Sequence, residues 1–161
     1  MSKASNSRKD RFISEFSQSS LEDEKCDIFK RCKFNFSYFD CNQEPAADIA
    51  TWDESNLQEL FNKLKHYSQQ ALSHWQQERI GSGKTHVLEV YGSFPRRSQF
   101  RHPQHVPSDV DWARFRLDGK KRLIGFTVPK ELCKRDQRFD GNTFYVVFLD
   151  PEHKFYLSNR S

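Results

Sequence analysis

Three arginines, Arg114, Arg116 and Arg122, stand among large apolar residues in the stretch 110–128, and His153 and Tyr156 follow near the end of the chain. A guanidinium is planar, permanently charged and able to bind two oxygens of one phosphate. Imidazole titrates near neutrality and suits proton transfer. Cleavage of RNA by its own 2′-hydroxyl needs a base for that hydroxyl, cations for the charge on phosphorus and an acid for the leaving oxygen. His153 and Tyr156 are the candidates for proton transfer. Arg116 and Arg122, with Arg114, are the candidates for clamping the phosphate. Arg96, Arg97, Arg101, Arg114, Lys120 and Lys121 make up a wider basic set that could hold a nucleic-acid backbone. His102 and His105 would join them if the segment that carries them folds over the sheet.

Each of these residues also has a plainer use. Arg114 and Arg116 share a strand face with Trp112 and could stack on it, or pair with Asp109 and Asp111. Lys121 and Arg122 could be a solvated turn, and Arg96 and Arg97 a surface pair. His153 follows Asp-Pro-Glu, as an exposed turn residue would. Tyr156 could be an edge-strand packing residue.

The elements that must position these groups are legible in the pattern. Alternation puts Val110, Trp112, Arg114 and Arg116 on one face of a strand and Asp111, Ala113, Phe115 and Leu117 on the other. Asp118-Gly119 is a strong hairpin signal, forming either a two-residue turn or part of a four-residue turn over 118–121. The second strand is Arg122 to Val128. Residues 142–149, Asn-Thr-Phe-Tyr-Val-Val-Phe-Leu, read as a strand buried on both faces, and 153–157 as a closing segment after a turn. Upstream, 32–39 alternates Phe34, Phe36 and Tyr38 against polar residues and predicts a half-buried strand. Thr51 and Glu54 fit a capping box that opens a helix with Leu57, Leu60, Phe61 and Leu64 on one face. Ser68 is the expected cap of a second helix through Trp75 to about Arg79, stopped by Gly81-Ser82-Gly83. A strand is expected over 85–91, and long connections over 92–107 and 129–141. Fold class is therefore α+β: a mostly antiparallel sheet covered on one face by a helical hairpin, with the other face free to present cations.

The 161 residues suit one domain over 26–161, preceded by a polar tail over 1–25 that is expected to be mobile. Fifteen Phe, five Tyr and three Trp point to an aromatic core. No apolar run is long enough to span a membrane, and no signal-peptide core is present, so a cytoplasmic protein with no membrane partner is the expectation. Cys26, Cys32, Cys41 and Cys133 contain no Cys-x-x-Cys pair and fit no zinc spacing, so four reduced thiols and no metal or cofactor are expected. Gly81-Ser82-Gly83-Lys84-Thr85 looks like a phosphate loop, but position 78, where that motif needs Gly, is Glu78. Charge is divided along the chain. Residues 1–60 hold 8 Lys and Arg against 12 Asp and Glu, and 61–161 hold 18 against 10. A basic C-terminal part favours a polyanionic partner.

The order strand, helix, helix, strand, strand, strand resembles the RelE/ParE-type toxin superfamily of bacterial mRNA interferases and gyrase inhibitors. Trp112-Ala113-Arg114-Phe115-Arg116-Leu117 with Arg122-Leu123-Ile124-Gly125-Phe126 is similar to that family's central hairpin. His153-Lys154-Phe155-Tyr156 is similar to its closing strand. The resemblance implies a RelE-like fold and a toxin-type, metal-independent endoribonuclease acting through the Arg-bearing sheet and His153. It implies RNA or the ribosome as target and an antitoxin protein as possible partner. The alternative is a non-catalytic module that binds nucleic acid or protein, such as a toxin-like inhibitor or a mobile-element accessory protein. Those toxins are usually shorter, and the segments 1–25, 92–107 and 129–141 are additions to their pattern.

Overall fold

In chain order the elements are β1 (Lys33–Asn35), α1 (Glu54–Tyr67), α2 (Leu72–Gln77), β2 (Leu88–Gly92), β3 (Asp111–Arg116), β4 (Arg122–Thr127), α3 (Lys130–Arg135) and β5 (Thr143–Asp150). Single 3₁₀ turns form at Ile28–Lys30 and Ile49–Thr51. They belong to a computed structural model that describes residues 8, 9, 11, 12 and 20–158. Most of the expected tail over 1–25 lies outside the described residues. The fold is α+β, with one five-stranded mixed sheet in the order β1-β5-β4-β3-β2. Strands β2 to β5 pair antiparallel, and β1 runs parallel to β5.

The β3–β4 hairpin forms as its alternation dictates. Lys121 N–H donates to the Asp118 carbonyl (3.2 Å) and Leu117 N–H to the Lys121 carbonyl (3.1 Å), so the turn is the four-residue one. Gly119 supplies its left-handed residue at φ 60°. Beyond the turn, Gly125 lies where β4 and β5 shift register, and a Cβ there would meet the Tyr145 carbonyl at 2.1 Å. Only glycine allows the two backbones to approach so closely.

On the face of Ala113 and Phe115, helices α1 and α2 cover a core of Leu60, Tyr67, Leu72, Trp75, Leu88, Leu123, Phe144 and Leu149. Tyr67 is its centre. Its ring stacks on Phe115 at 4.7 Å, and its hydroxyl donates to the Arg116 carbonyl. Its own carbonyl accepts from Trp75 Nε1 at 2.8 Å. Burial pushes the Tyr67 hydroxyl up to about 12. Tyr67 also moves the apolar stripe of α1. Leu60 is 3 % and Tyr67 4 % exposed, whereas Phe61, expected to face inward, is 67 % exposed. At about 100° per residue Phe61 lies a quarter-turn from the stripe that Leu60 and Tyr67 define.

The opposite face is not free, which corrects the expectation of a sheet covered on one side only. Trp112, Ile124, Phe126 and Phe148 alternate onto it and form a second core with Phe100, Val106 and Phe155. The long connection between β2 and β3 supplies Phe94, Phe100 and Val106 to that core. An apolar surface of this size demands a cover, and burying Trp112 alone, 1 % exposed, contributes on the order of 2–3 kcal/mol. At the end of this face beside the β3–β4 turn, Arg114, Arg116, Arg122 and Asp150 emerge among the strand residues.

Several local expectations shift for identifiable reasons. Strand β1 stops at Asn35 because the Asn35 side chain accepts from Ser37 N–H and Phe39 N–H returns to the Phe36 carbonyl, turning the chain. Tyr38 then crosses to the second core, edge-on to Phe126. The cap of α1 is Asp53, which accepts from Asn56 N–H at 2.8 Å, while Thr51 closes the preceding 3₁₀ turn. Ser68 ends α1, its hydroxyl donating to the Leu64 carbonyl, and α2 begins after Ala71. Residues 129–141, expected as a loop, contain the short α3. Residues 153–157 form turns and not a strand. Among the described residues, no helix is long and apolar enough to cross a membrane.

Candidate functional site

The ladder brings the three hairpin arginines together. Arg114 and Arg116 lie two residues apart on one face of β3, and Arg122 on β4 is opposite Arg116. Arg122 is also opposite Asp150 on β5, and Glu89 on β2 is opposite Arg114. Two of the cations are withdrawn from solvent: Arg114 and Arg122 are each 8 % exposed. Arg114 Nε donates to the Tyr91 hydroxyl at 2.7 Å. Arg122 donates one nitrogen to the carbonyls of Gly119 (2.8 Å) and Lys121 (2.7 Å). One N–H nitrogen on each, Nη1 of Arg114 and Nε of Arg122, is buried with no hydrogen-bond partner.

Buried guanidiniums are normally matched by carboxylates. Among the described residues no Asp or Glu oxygen lies within 4.0 Å of Arg114, Arg116 or Arg122. The nearby acids are engaged elsewhere. Glu89 accepts from His86 N–H at 2.7 Å and lies 3.4 Å from that imidazole. Asp111, suggested by sequence as a partner, points to the opposite face of β3. Asp150, 1 % exposed, has both oxygens occupied: it accepts from the N–H groups of Glu152 (3.3 Å), Lys154 (3.0 Å) and Phe155 (2.8 Å). Burial, followed by the charges of Arg114 and Arg116, pushes the Arg122 guanidinium down to about 10.

Asp150 also sets the position of His153. By gathering three N–H groups it curls 150–155 into a tight turn, in which His153 takes a left-handed φ of 57°. His153 is half-buried within the field of the same arginines. Burial, then Arg122 and Arg114, hold its imidazole below the usual range. The shift favours the neutral imidazole, which has a ring nitrogen able to accept a proton.

The remaining candidates disperse. Tyr156, 43 % exposed, lies at the rim with its ring stacked on Tyr91 at 4.7 Å and 4°. Arg96 and Arg97 border a groove beside it together with Tyr91, Ser93, Phe94, Pro95 and Leu157, of about 400 Å³. Arg101 belongs to a different patch, its backbone held by Gln43 on both sides (2.8 Å each). Lys120 is exposed on the hairpin turn. Lys121 points to the helix layer, where it binds Glu59 (2.6 Å) and Asn56 (2.9 Å) and pins the turn to α1. His102 packs edge-on to Trp112 and His105 bonds the Tyr38 carbonyl at 3.0 Å, so both serve the second core. Tyr91 and Asp150, absent from the sequence-based candidates, are structural parts of the site. Glu89 and Tyr91 carry a signal only in hindsight, being polar groups on an edge strand whose register must be known first.

Among the described residues no group of three or more His, Cys, Asp and Glu side chains is arranged to hold a metal ion. Two buried guanidiniums, a third at the edge and an imidazole that feels their charge make a set that can receive an oxyanion. Comparison with protein-family models, with curated proteins and with solved structures returns no match in any of the three.

Proposed function

We propose that this chain is an RNA endoribonuclease of the RelE-like toxin type, with the cleaved phosphodiester held at Arg114, Arg116 and Arg122. The observation that carries the reading is the pair of buried guanidiniums with no carboxylate within 4.0 Å, each with an unpartnered N–H, whose charge reaches His153. A fold that isolates two like charges in this way gains from an anion between them.

In the proposed reaction the neutral His153 takes the proton of a 2′-hydroxyl. The 2′-oxygen bonds to the adjacent phosphorus and the bond from phosphorus to the 5′-oxygen breaks. The leaving oxygen takes a proton from an acid, for which Tyr156 at the rim is the candidate. The products are a 2′,3′-cyclic phosphate and a 5′-hydroxyl. The guanidiniums stabilise the extra charge on the phosphorane oxygens, an effect that is larger in a desolvated pocket than in water. RNA or the ribosome is the proposed target, and an antitoxin protein the proposed natural inhibitor.

The test is cleavage of end-labelled RNA by purified protein, with and without ribosomes, alongside growth arrest on expression. His153→Ala should lower cleavage by about 10²–10⁴-fold, as loss of a general base does, and relieve growth arrest. Arg116→Ala should do likewise while the protein stays folded. Undiminished cleavage in both variants would remove this site. Salt-dependent RNA binding without cleavage in either condition would instead identify a non-catalytic binding module.

A further inference from the structure

Strand β2 sets Tyr91 against one arginine of the pocket. The phenol oxygen accepts from Arg114 Nε at 2.7 Å. A hydroxyl that accepts still has its own hydrogen to give. Among the described residues, no acceptor takes that hydrogen from Tyr91. The ring is fixed by two neighbours: Phe155, 6.2 Å away between centroids, and Tyr156, in a nearly parallel stack at 4.7 Å and 4°. Tyr91 also borders the groove of about 400 Å³ that Arg96 and Arg97 flank, so its side chain is reached from the surface. Tyr156 lacks the feature that would tune a phenol for giving a proton. It is 43 % exposed, and among the described residues no group hydrogen-bonds its hydroxyl.

We propose that Tyr91 is a further catalytic residue: its O–H gives the proton to the leaving 5′-oxygen, and Arg114 stabilises the phenolate that remains. The proposal rests on the phosphodiester reading of the arginine pocket and puts Tyr91 in place of Tyr156 as the acid. Breaking the bond from phosphorus to the 5′-oxygen leaves the electron pair on that oxygen. The Tyr91 proton moves to it, so the product leaves as a 5′-hydroxyl. Arg114 already has an N–H on the phenol oxygen, and that bond strengthens as the oxygen takes on negative charge. The gain arrives in the transition state, where it accelerates the step. The proton that His153 took from the 2′-hydroxyl then returns to Tyr91 through water, and both groups are restored. Burial, the largest cause, pushes the Tyr91 hydroxyl above the ordinary phenol range; Arg114 pulls it down, Glu89 pushes it up and Arg122 pulls it down. The phenol therefore keeps its proton at neutral pH until the leaving oxygen draws it. One guanidinium thus touches the acid and belongs to the phosphate clamp, which keeps the proton donor beside the bond that breaks.

The experiment compares two RNA substrates of one sequence, the natural one and one with sulfur in place of the leaving 5′-oxygen. A thiol is far more acidic than an alcohol, so a thiolate leaves without a proton and needs no acid. Tyr91→Phe keeps the ring and its aromatic neighbours. It should cleave natural RNA about 10²–10³-fold more slowly than wild type, the scale of a lost general acid. It should cleave the sulfur substrate at close to the wild-type rate, which shows at the same time that the variant is folded. Tyr91→Phe that matches wild type on natural RNA would overturn the role. Tyr91→Phe that is as slow on the sulfur substrate as on the natural one would also overturn it, leaving Tyr91 only to position Arg114. Loss on natural RNA with rescue by sulfur in Tyr156→Phe, and not in Tyr91→Phe, would give the role back to Tyr156. Wild type that cleaves neither substrate, with or without ribosomes, would remove the endoribonuclease reading itself.

Discussion

Replacing Arg122 by Met removes a guanidinium that the fold keeps 8 % exposed, opposite Arg116 and near Arg114, with one nitrogen unpartnered. Met fills much of the same volume with no charge to desolvate. Depression of the guanidinium from its ordinary value to about 10 corresponds to roughly 3 kcal/mol against the charged form at ~1.4 kcal/mol per pH unit, an upper figure because solvent reaches part of the group. Its bonds to the Gly119 and Lys121 carbonyls offset on the order of 1–3 kcal/mol. The net expectation is a variant as stable as wild type or up to ~2 kcal/mol more stable, at any pH below about 10 where the wild-type group is charged. The sign follows from the direction of the shift. A cation with a depressed folded-state pKa destabilises the fold while it is protonated, and that destabilisation fades only as pH rises through the folded value. Urea unfolding at pH 7 reads the difference. Adding inorganic phosphate or polyphosphate should raise the wild-type midpoint, because the anion binds the native state alone, and should leave Arg122→Met unmoved. A variant destabilised by more than ~2 kcal/mol, with a wild-type midpoint indifferent to phosphate, would show that Arg122 is a structural strut and refute the electrostatic argument.

Three further outcomes follow from the same geometry. In Arg122→Met the His153 imidazole should titrate at higher pH than in wild type when followed by proton NMR, since a cation that lowers it is gone; burial, the larger cause, keeps part of the depression. An unchanged midpoint would place the two groups out of electrostatic reach. His153→Gly should gain about 1 kcal/mol in urea unfolding, because glycine adopts φ 57° without the cost borne by a side chain, yet should lose RNA cleavage; a loss of stability would mean that the imidazole itself supports the turn. Lys121→Ala should cost about 1 kcal/mol by breaking the 2.6 Å pair with Glu59, with RNA affinity within about 2-fold of wild type. A large loss of affinity without loss of stability would return Lys121 to the binding surface.

Much of the scaffold was readable from short-range pattern. Alternation in β3 and β4, the Asp118-Gly119 turn and the apolar run of β5 depend on neighbours one to four residues away, so their signals survive without any tertiary information. The ends of β1 and the caps of the helices were harder. Asn35, Asp53 and Ser68 compete locally for the same N–H and carbonyl groups as their neighbours, and which one wins depends on packing. Phe61 illustrates the same limit: its spacing fits the stripe of α1, but the inward direction was decided by Tyr67 reaching the Arg116 carbonyl across the core.

By itself the sequence determined that Arg114 and Arg116 share one face of β3, because the side-chain period of a strand is two; a two-residue turn would have put Arg122 on the other face, and the four-residue turn of the folded chain puts it opposite Arg116. The sequence also contained the basic bias of the C-terminal part and the proximity of His153 to the chain end of the last long strand. Only the tertiary structure decided that the face has a second aromatic core, that Arg114 and Arg122 are buried with no carboxylate within 4.0 Å, and that Asp150 curls the chain to bring His153 into their field. Burial and charge pairing depend on which elements cover a face. Here the cover comes from residues 93–110 and 151–157, distant in sequence from the arginines and without regular structure to announce their path.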